Sequence, residues 1–124
     1  MARIIVAEDV AEMRAALAFV LEGAGHEVIL TESGAAALKL HRDAAAELLI
    51  LDVWMPGRSG LDVLKSIRDG GDSVPVVMIS GGGPGKTLEN ATHLADLYGA
   101  AAMLFKPFED DELLEVIGQA LDHR

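Results

Sequence analysis

The sequence predicts an α/β fold, a five-stranded parallel sheet with helices on both faces. Two observations carry this expectation. Short apolar or β-branched runs alternate strictly with segments of helical periodicity, five of each, and strict alternation is the signature of a parallel sheet built from crossover units. The stretch from Glu47 to Val53 holds a nearly continuous apolar run, Leu48-Leu49-Ile50-Leu51, as expected of a strand covered on both faces. The 124 residues fit a single domain, 1–124, with chain enough for one sizeable core.

The elements follow in order. Arg3 to Ala7 is a short β-branched run that ends in Glu8-Asp9. Met13, Leu17, Val20, Leu21 and Ala24 recur at helical spacing between Val10 and Ala24, and Gly25 closes that helix. Val28 to Leu30 reads as the second strand, and Ser33 caps a helix reaching about Ala45. The third strand carries the apolar run. Ser59 and Asp62 form a capping pair for a helix from Gly60 to about Asp69, which Gly70-Gly71 breaks. Pro75 to Ile79 is the fourth strand. After the Gly-rich stretch Gly81–Gly85, a fourth helix is predicted from about Lys86 to Tyr98, stopped by Gly99. Ala101 to Phe105 is the fifth strand, and Glu109 to Leu121 the last helix.

Composition narrows the function classes. Hydrophobic residues make up 51% and aromatics only 4%, so the core is built from Ala, Val, Ile and Leu. Twenty acidic residues against ten basic ones leave a formal net charge of -10, which opposes non-specific binding to nucleic acid or anionic membrane. With no cysteine, disulfide and thiolate chemistry are excluded. No apolar run approaches the ~18 residues of a membrane helix, and MARIIVAED is too short and too soon charged for a signal peptide. A cytoplasmic location is the expectation.

Sites in open parallel sheets form beyond the carboxyl ends of the strands. Those ends are Glu8 and Asp9 for the first strand, Asp52 for the third, Ser80 for the fourth and Lys106 for the fifth. Each alone has a bland reading: Asp9 as a helix cap, Ser80 as a turn residue, Lys106 as a solvated lysine. Asp52 is harder to dismiss, since it follows a buried run and a buried carboxylate without a partner is costly. Three converging carboxylates repel one another, and a hard divalent cation such as Mg²⁺ relieves the conflict. A hydroxyl and an ammonium beside them suit phosphoryl transfer to a carboxylate nucleophile.

Taken in order, Glu8-Asp9, Asp52-Val53-Trp54-Met55-Pro56-Gly57 with Gly60, Ser80-Gly81 and Lys106-Pro107-Phe108 resemble the receiver domain of bacterial two-component response regulators. The resemblance runs from about Ile4 to Leu121. It implies a flavodoxin-like sheet of order 2-1-3-4-5 with five helices, and Asp52 as phosphoacceptor. It implies Mg²⁺ held by Glu8, Asp9, Asp52 and the main-chain carbonyl of Trp54, with Ser80 and Lys106 on the phosphoryl group and a cis Lys106–Pro107 bond. A sensor histidine kinase or histidine phosphotransfer protein would be the donor. Slow self-catalysed dephosphorylation would follow, with output by contact with a further protein, as a monomer or weak homodimer. The family's signalling face would include Leu88, His93, Leu97 and Ala102. The start, MARIIV, fits a true N-terminus; excision from a longer kinase or regulator is the alternative.

Several positions depart from the family pattern or stand outside it. Met103 occupies the place of the usual aromatic switch residue and offers no ring or hydroxyl. Trp54 lies two past Asp52, where its ring would either shield the acyl phosphate or play no kinetic part. Ala15, Ala16 and Phe19 lie off the core stripe of the first helix, and an exposed Phe19 would suit docking of the phosphodonor. The four histidines, His26, His41, His93 and His123, show no metal-ligand spacing and read as surface residues. A rival reading is a degenerate phosphate-binding loop, because SGGGPGKT misses the nucleotide-binding pattern only at Ser80 and would set Lys86 and Thr87 on phosphate. It leaves Asp9, Asp52 and Lys106 unexplained. The preferred reading of the loop is a hinge. A third reading is an interaction module that is not phosphorylated.

Overall fold

Five strands, β1 (Arg3–Ala7), β2 (Glu27–Thr31), β3 (Leu48–Asp52), β4 (Val76–Ser80) and β5 (Ala102–Phe105), form one sheet in the order β2-β1-β3-β4-β5. Every pairing is parallel. The computed structural model describes residues 1–55, 57–81 and 99–122, and among them are four helices: α1 (Ala11–Gly23), α2 (Gly34–Asp43), α3 (Gly60–Asp69) and α4 (Asp110–Asp122). The helix expected from Lys86 to Tyr98 lies outside the described residues, as do Lys86 and Thr87 of the phosphate-loop pattern.

The alternation of side chains along the strands divides the core into two layers. Leu48 and Ile50 of β3 pack with Leu17 and Leu21 of α1 and Leu113 and Ile117 of α4. Leu49 and Leu51 face the other way, against Ala37 and Leu38 of α2 and Val63 and Leu64 of α3. These β3 residues are fully buried, and each such side chain contributes about 1.5–3 kcal/mol. The uninterrupted apolar run thus belongs to the central strand, which has helices above and below it.

Element ends follow local chemistry. Ser33 Oγ accepts the Ala36 N–H and Ser59 Oγ the Asp62 N–H, each at 3.1 Å, as the sequence suggested. The helices α1 and α3 close in the same way: Gly25 and Gly71 take positive φ (92° and 82°), their N–H groups bond back to Glu22 and Arg68, and the next residues bond to Leu21 and Ile67. Pairing, and not apolar pattern, sets the strand limits. β2 extends to Glu27 and Thr31 because all five residues of β1 find partners there. β4 begins at Val76 because Pro75 accepts from the Leu49 N–H but has no N–H of its own to give.

Two expectations are corrected. Asp9 does not cap α1; the N-cap is Val10, with no side-chain capping bond. His41 is not a surface residue but is 8% exposed. Its Nδ1 accepts the Ala46 N–H at 3.0 Å, which leaves the ring proton on Nε2 facing Asp72 Oδ2 at 2.7 Å. This bond also explains why α2 stops at Asp43, short of the expected Ala45: the chain turns there so that Ala46 meets the ring. His26 is half-buried and its Nδ1 accepts the Ala2 N–H; His93 and His123 lie outside the described residues.

Candidate functional site

The carboxyl edge of the sheet gathers the predicted residues. Glu8 and Asp9 follow β1, Asp52 closes β3, Ser80 closes β4, and Lys106 stands just past β5. Parallel pairing brings these ends together, with Asp52 level with Ile79 and Ser80 level with Phe105. Glu8, Asp52 and Ser80 are buried (0%, 4% and 0% exposed), whereas Asp9 is open to solvent. Glu8, Asp9 and Asp52 each offer a carboxylate oxygen, all within 4.8 Å of one another, a group that could hold a metal ion.

Each member is tied from several sides. Asp52 Oδ1 accepts the main-chain N–H of Trp54 at 3.2 Å. Lys106 Nζ lies 2.6 Å from Glu8 Oε1 but 3.5 Å from Asp52 Oδ2, so its strong partner is the glutamate. Glu8 Oε2 accepts the Val10 N–H at 3.2 Å, and Arg14 Nη1 donates to the Glu8 carbonyl at 2.8 Å. Gly60 holds the loop close beneath: a Cβ there would overlap the carbonyl of Asp52.

Burial and proximity set the charges. Asp52 is pushed up to about 7, first by burial and then by the neighbouring Glu8, with Lys106 pulling only partly the other way. Burial alone would raise Glu8 too, but hydrogen bonds from Asp52, Lys106 and the Val10 amide outweigh it and hold Glu8 below the ordinary carboxylate value. Burial disfavours the Lys106 ammonium, yet Glu8 and Asp52 more than compensate and raise it. The two carboxylates therefore divide their roles: Glu8 is the more acidic and ionises against the ammonium, and Asp52 is the harder of the two to ionise. Three clustered carboxylates, two of them facing the one close ammonium, leave negative charge for a further cation, and the all-oxygen donor set suits Mg²⁺.

The surrounding positions fall into place unevenly. Ser80 Oγ is buried without a hydrogen-bond partner among the described residues, an unusual state for a buried hydroxyl. The Lys106–Pro107 bond is cis. Trp54 is half-buried and packs, like Met103, against the layer of α2 and α3. Phe19 is 82% exposed. Of the expected signalling face, Ala102 is half-buried, and Leu88, His93 and Leu97 lie outside the described residues. Arg14 was missed by sequence reasoning, since a lone arginine early in a helix carries no signal until the strand end beneath it is placed.

The family model for the response regulator receiver domain matches residues 4–118. The chain belongs to this family. Its receiver relatives include chemotaxis protein CheY of Bacillus subtilis (strain 168), 30% identical over 97% of this chain and 98% of that protein. Transcriptional regulatory protein DltR of Streptococcus agalactiae serotype III (strain NEM316) is 35% identical over 90% of this chain, and the chain spans 48% of its length. Among solved structures, chemotaxis protein CheY4 of Vibrio cholerae superposes with a TM-score of 0.87 at 26% identity, covering 97% of this chain and 98% of that one. NtrX of Brucella abortus gives 0.88 at 35% identity, covering 98% of this chain and 28% of that one. The receiver fold, with strand order 2-1-3-4-5, is thus shared, and the chain is homologous to response regulators of two-component signalling. Receiver domains interact with histidine kinases or phosphotransfer proteins, and phosphorylation and Mg²⁺ binding are general features of the family. No helix among the described residues is long and apolar enough to cross a membrane.

Proposed function

We propose that Asp52 accepts a phosphoryl group from a phosphohistidine on a sensor histidine kinase or phosphotransfer protein, and that the chain works as a cytoplasmic receiver whose output is contact with another protein. The observation that carries this reading is the cluster of three carboxylates at the sheet's carboxyl edge, two of them facing the Lys106 ammonium. Glu8, Asp9, Asp52 and the Trp54 carbonyl would hold Mg²⁺. When bound, Mg²⁺ supplies the positive charge that lets the carboxylates and the phosphoryl oxygens share one cleft.

The chain's own groups do the rest. An Asp52 oxygen forms the new P–O bond as the P–N bond to the donor imidazole breaks, and the imidazole leaves with the electron pair. Asp52 must be ionised to attack, so the fraction that is protonated near its raised value of about 7 has to lose that proton first. Lys106, already at the pocket mouth, pairs with a phosphoryl oxygen. The buried Ser80 hydroxyl, without a hydrogen-bond partner among the described residues, would find an acceptor in the phosphoryl group.

Incubation with a small phosphodonor and Mg²⁺ should add the mass of one phosphoryl group to the wild type and none to Asp52→Asn. An unmodified wild type, or undiminished label on the variant, overturns the reading.

A further inference from the structure

We propose that Arg14 is a positioning residue for the acidic pair: its guanidinium, bonded to the Glu8 carbonyl, fixes the peptide from which Asp9 projects and thereby prepares both carboxylates for the divalent cation. The inference rests on the metal reading above.

Glu8 sits where the sheet ends. Its N–H still reaches the Thr31 carbonyl at 3.1 Å, but β1 and β2 stop at Ala7 and Thr31, so no further strand residue follows to take the Glu8 carbonyl. Arg14 Nη1 takes it instead, at 2.8 Å. That carbonyl belongs to the peptide joining Glu8 to Asp9. Because the peptide is planar, holding its oxygen also sets the direction in which Asp9 leaves the chain. The Glu8 side chain has supports in Val10 and Lys106; Asp9, exposed and outside the strand, takes its direction from the peptide that carries it.

The helix makes the contact rigid. Arg14 lies in the first turn of α1 and its N–H bonds to the Val10 carbonyl, so its Cα is fixed relative to the loop it braces. The side chain is 19% exposed. Its other arm is 3.8 Å from Glu32, which is 77% exposed, and a surface pair of that kind contributes little. The permanent charge of arginine is engaged by the Glu8 carbonyl and by Glu32, not by a carboxylate of the cluster. Lys106 differs in this respect, since it occupies Glu8 Oε1 directly.

The test is Mg²⁺ titration of the full chain, read by fluorescence of its single tryptophan, two residues from Asp52, and independently by calorimetry. Arg14→Met should weaken Mg²⁺ binding roughly 10-fold, as loss of an outer-shell support does. Arg14→Lys should recover most of that loss, and Glu32→Gln should bind as the wild type does. If Arg14→Met fails to fold by circular dichroism, Arg14→Gln, too short to span the same distance, takes its place. Wild-type affinity in the folded Met or Gln variant overturns the role of Arg14, as does an equal loss in Glu32→Gln. A wild type that takes up no Mg²⁺ refutes the metal reading itself.

Discussion

Asp52 bears a conflict that its neighbours only partly relieve. It is 4% exposed, shares its cleft with Glu8, and has its nearest ammonium turned toward that glutamate. Its carboxyl is raised to about 7 by burial and by Glu8. The sign is therefore unfavourable to the metal-free fold at high pH: the contribution of Asp52 to stability is present below the unfolded carboxylate range and is lost as pH rises through about 7. The depressed Glu8 acts oppositely, adding stability above the unfolded value that is lost as pH falls. A bound cation needs Asp52 ionised and must displace its proton when the pH is low. Apparent Mg²⁺ affinity should accordingly fall about tenfold from pH 8 to pH 6 and level off above, with proton release on binding near neutrality. Calorimetry in buffers of different ionisation enthalpy checks this, and a pH-independent affinity without proton release contradicts it.

Among the elements, the junction of β3 with α3 is the least forgiving. Ser59 caps the helix, the Gly60 N–H bonds the Val53 carbonyl at 3.0 Å, and the Gly60 Cα rests against the Asp52 main chain with Met78 beside it. The turn that closes the acidic pocket is thus packed onto the strand that supplies its central carboxylate. Gly60→Ala should cost about 1–3 kcal/mol through overpacking and weaken Mg²⁺ binding as well, because the displaced backbone is that of Asp52. Chemical denaturation and the fluorescence titration measure the two effects, and full retention of both would show that the helix shifts away freely. At the opposite sheet edge, the α3 ending sets Asp72 against His41, while Arg68 holds the carbonyls of Asp72 and Gly99 at 3.0 Å each. The entries to β3, β4 and β5 are fastened together there, away from the chemistry.

Across the whole molecule, charge and architecture meet at the pocket. The chain carries a formal net charge of -10, and such self-repulsion opposes compactness. A divalent cation in the acidic cluster relieves the densest part of it and binds only the folded chain. At ten times its dissociation constant, Mg²⁺ should add about 1.4 kcal/mol of stability, a rise in Tm of roughly 5 °C for a domain of this size. Asp52→Asn, lacking a ligand charge, should lose most of the rise in a thermal scan. An equal rise in the variant would move the cation away from this cluster.

The order of the described elements and the residues that stand at the strand ends were legible in the sequence, because both are local properties. Periodicity near 3.6 or an unbroken apolar run marks a helix or a buried strand, and in a parallel sheet whatever follows each strand lies at one edge. Glu8, Asp52, Ser80 and Lys106 could be named on that basis. The tertiary structure decided which of them touch. Lys106 prefers Glu8, 98 positions away, to Asp52. Asp9 joins the carboxylates instead of capping α1. Arg14 braces the Glu8 carbonyl, and His41 is buried between two turns. Pairings of this kind depend on strand register and on which face each helix covers, and those are fixed only when distant segments pack.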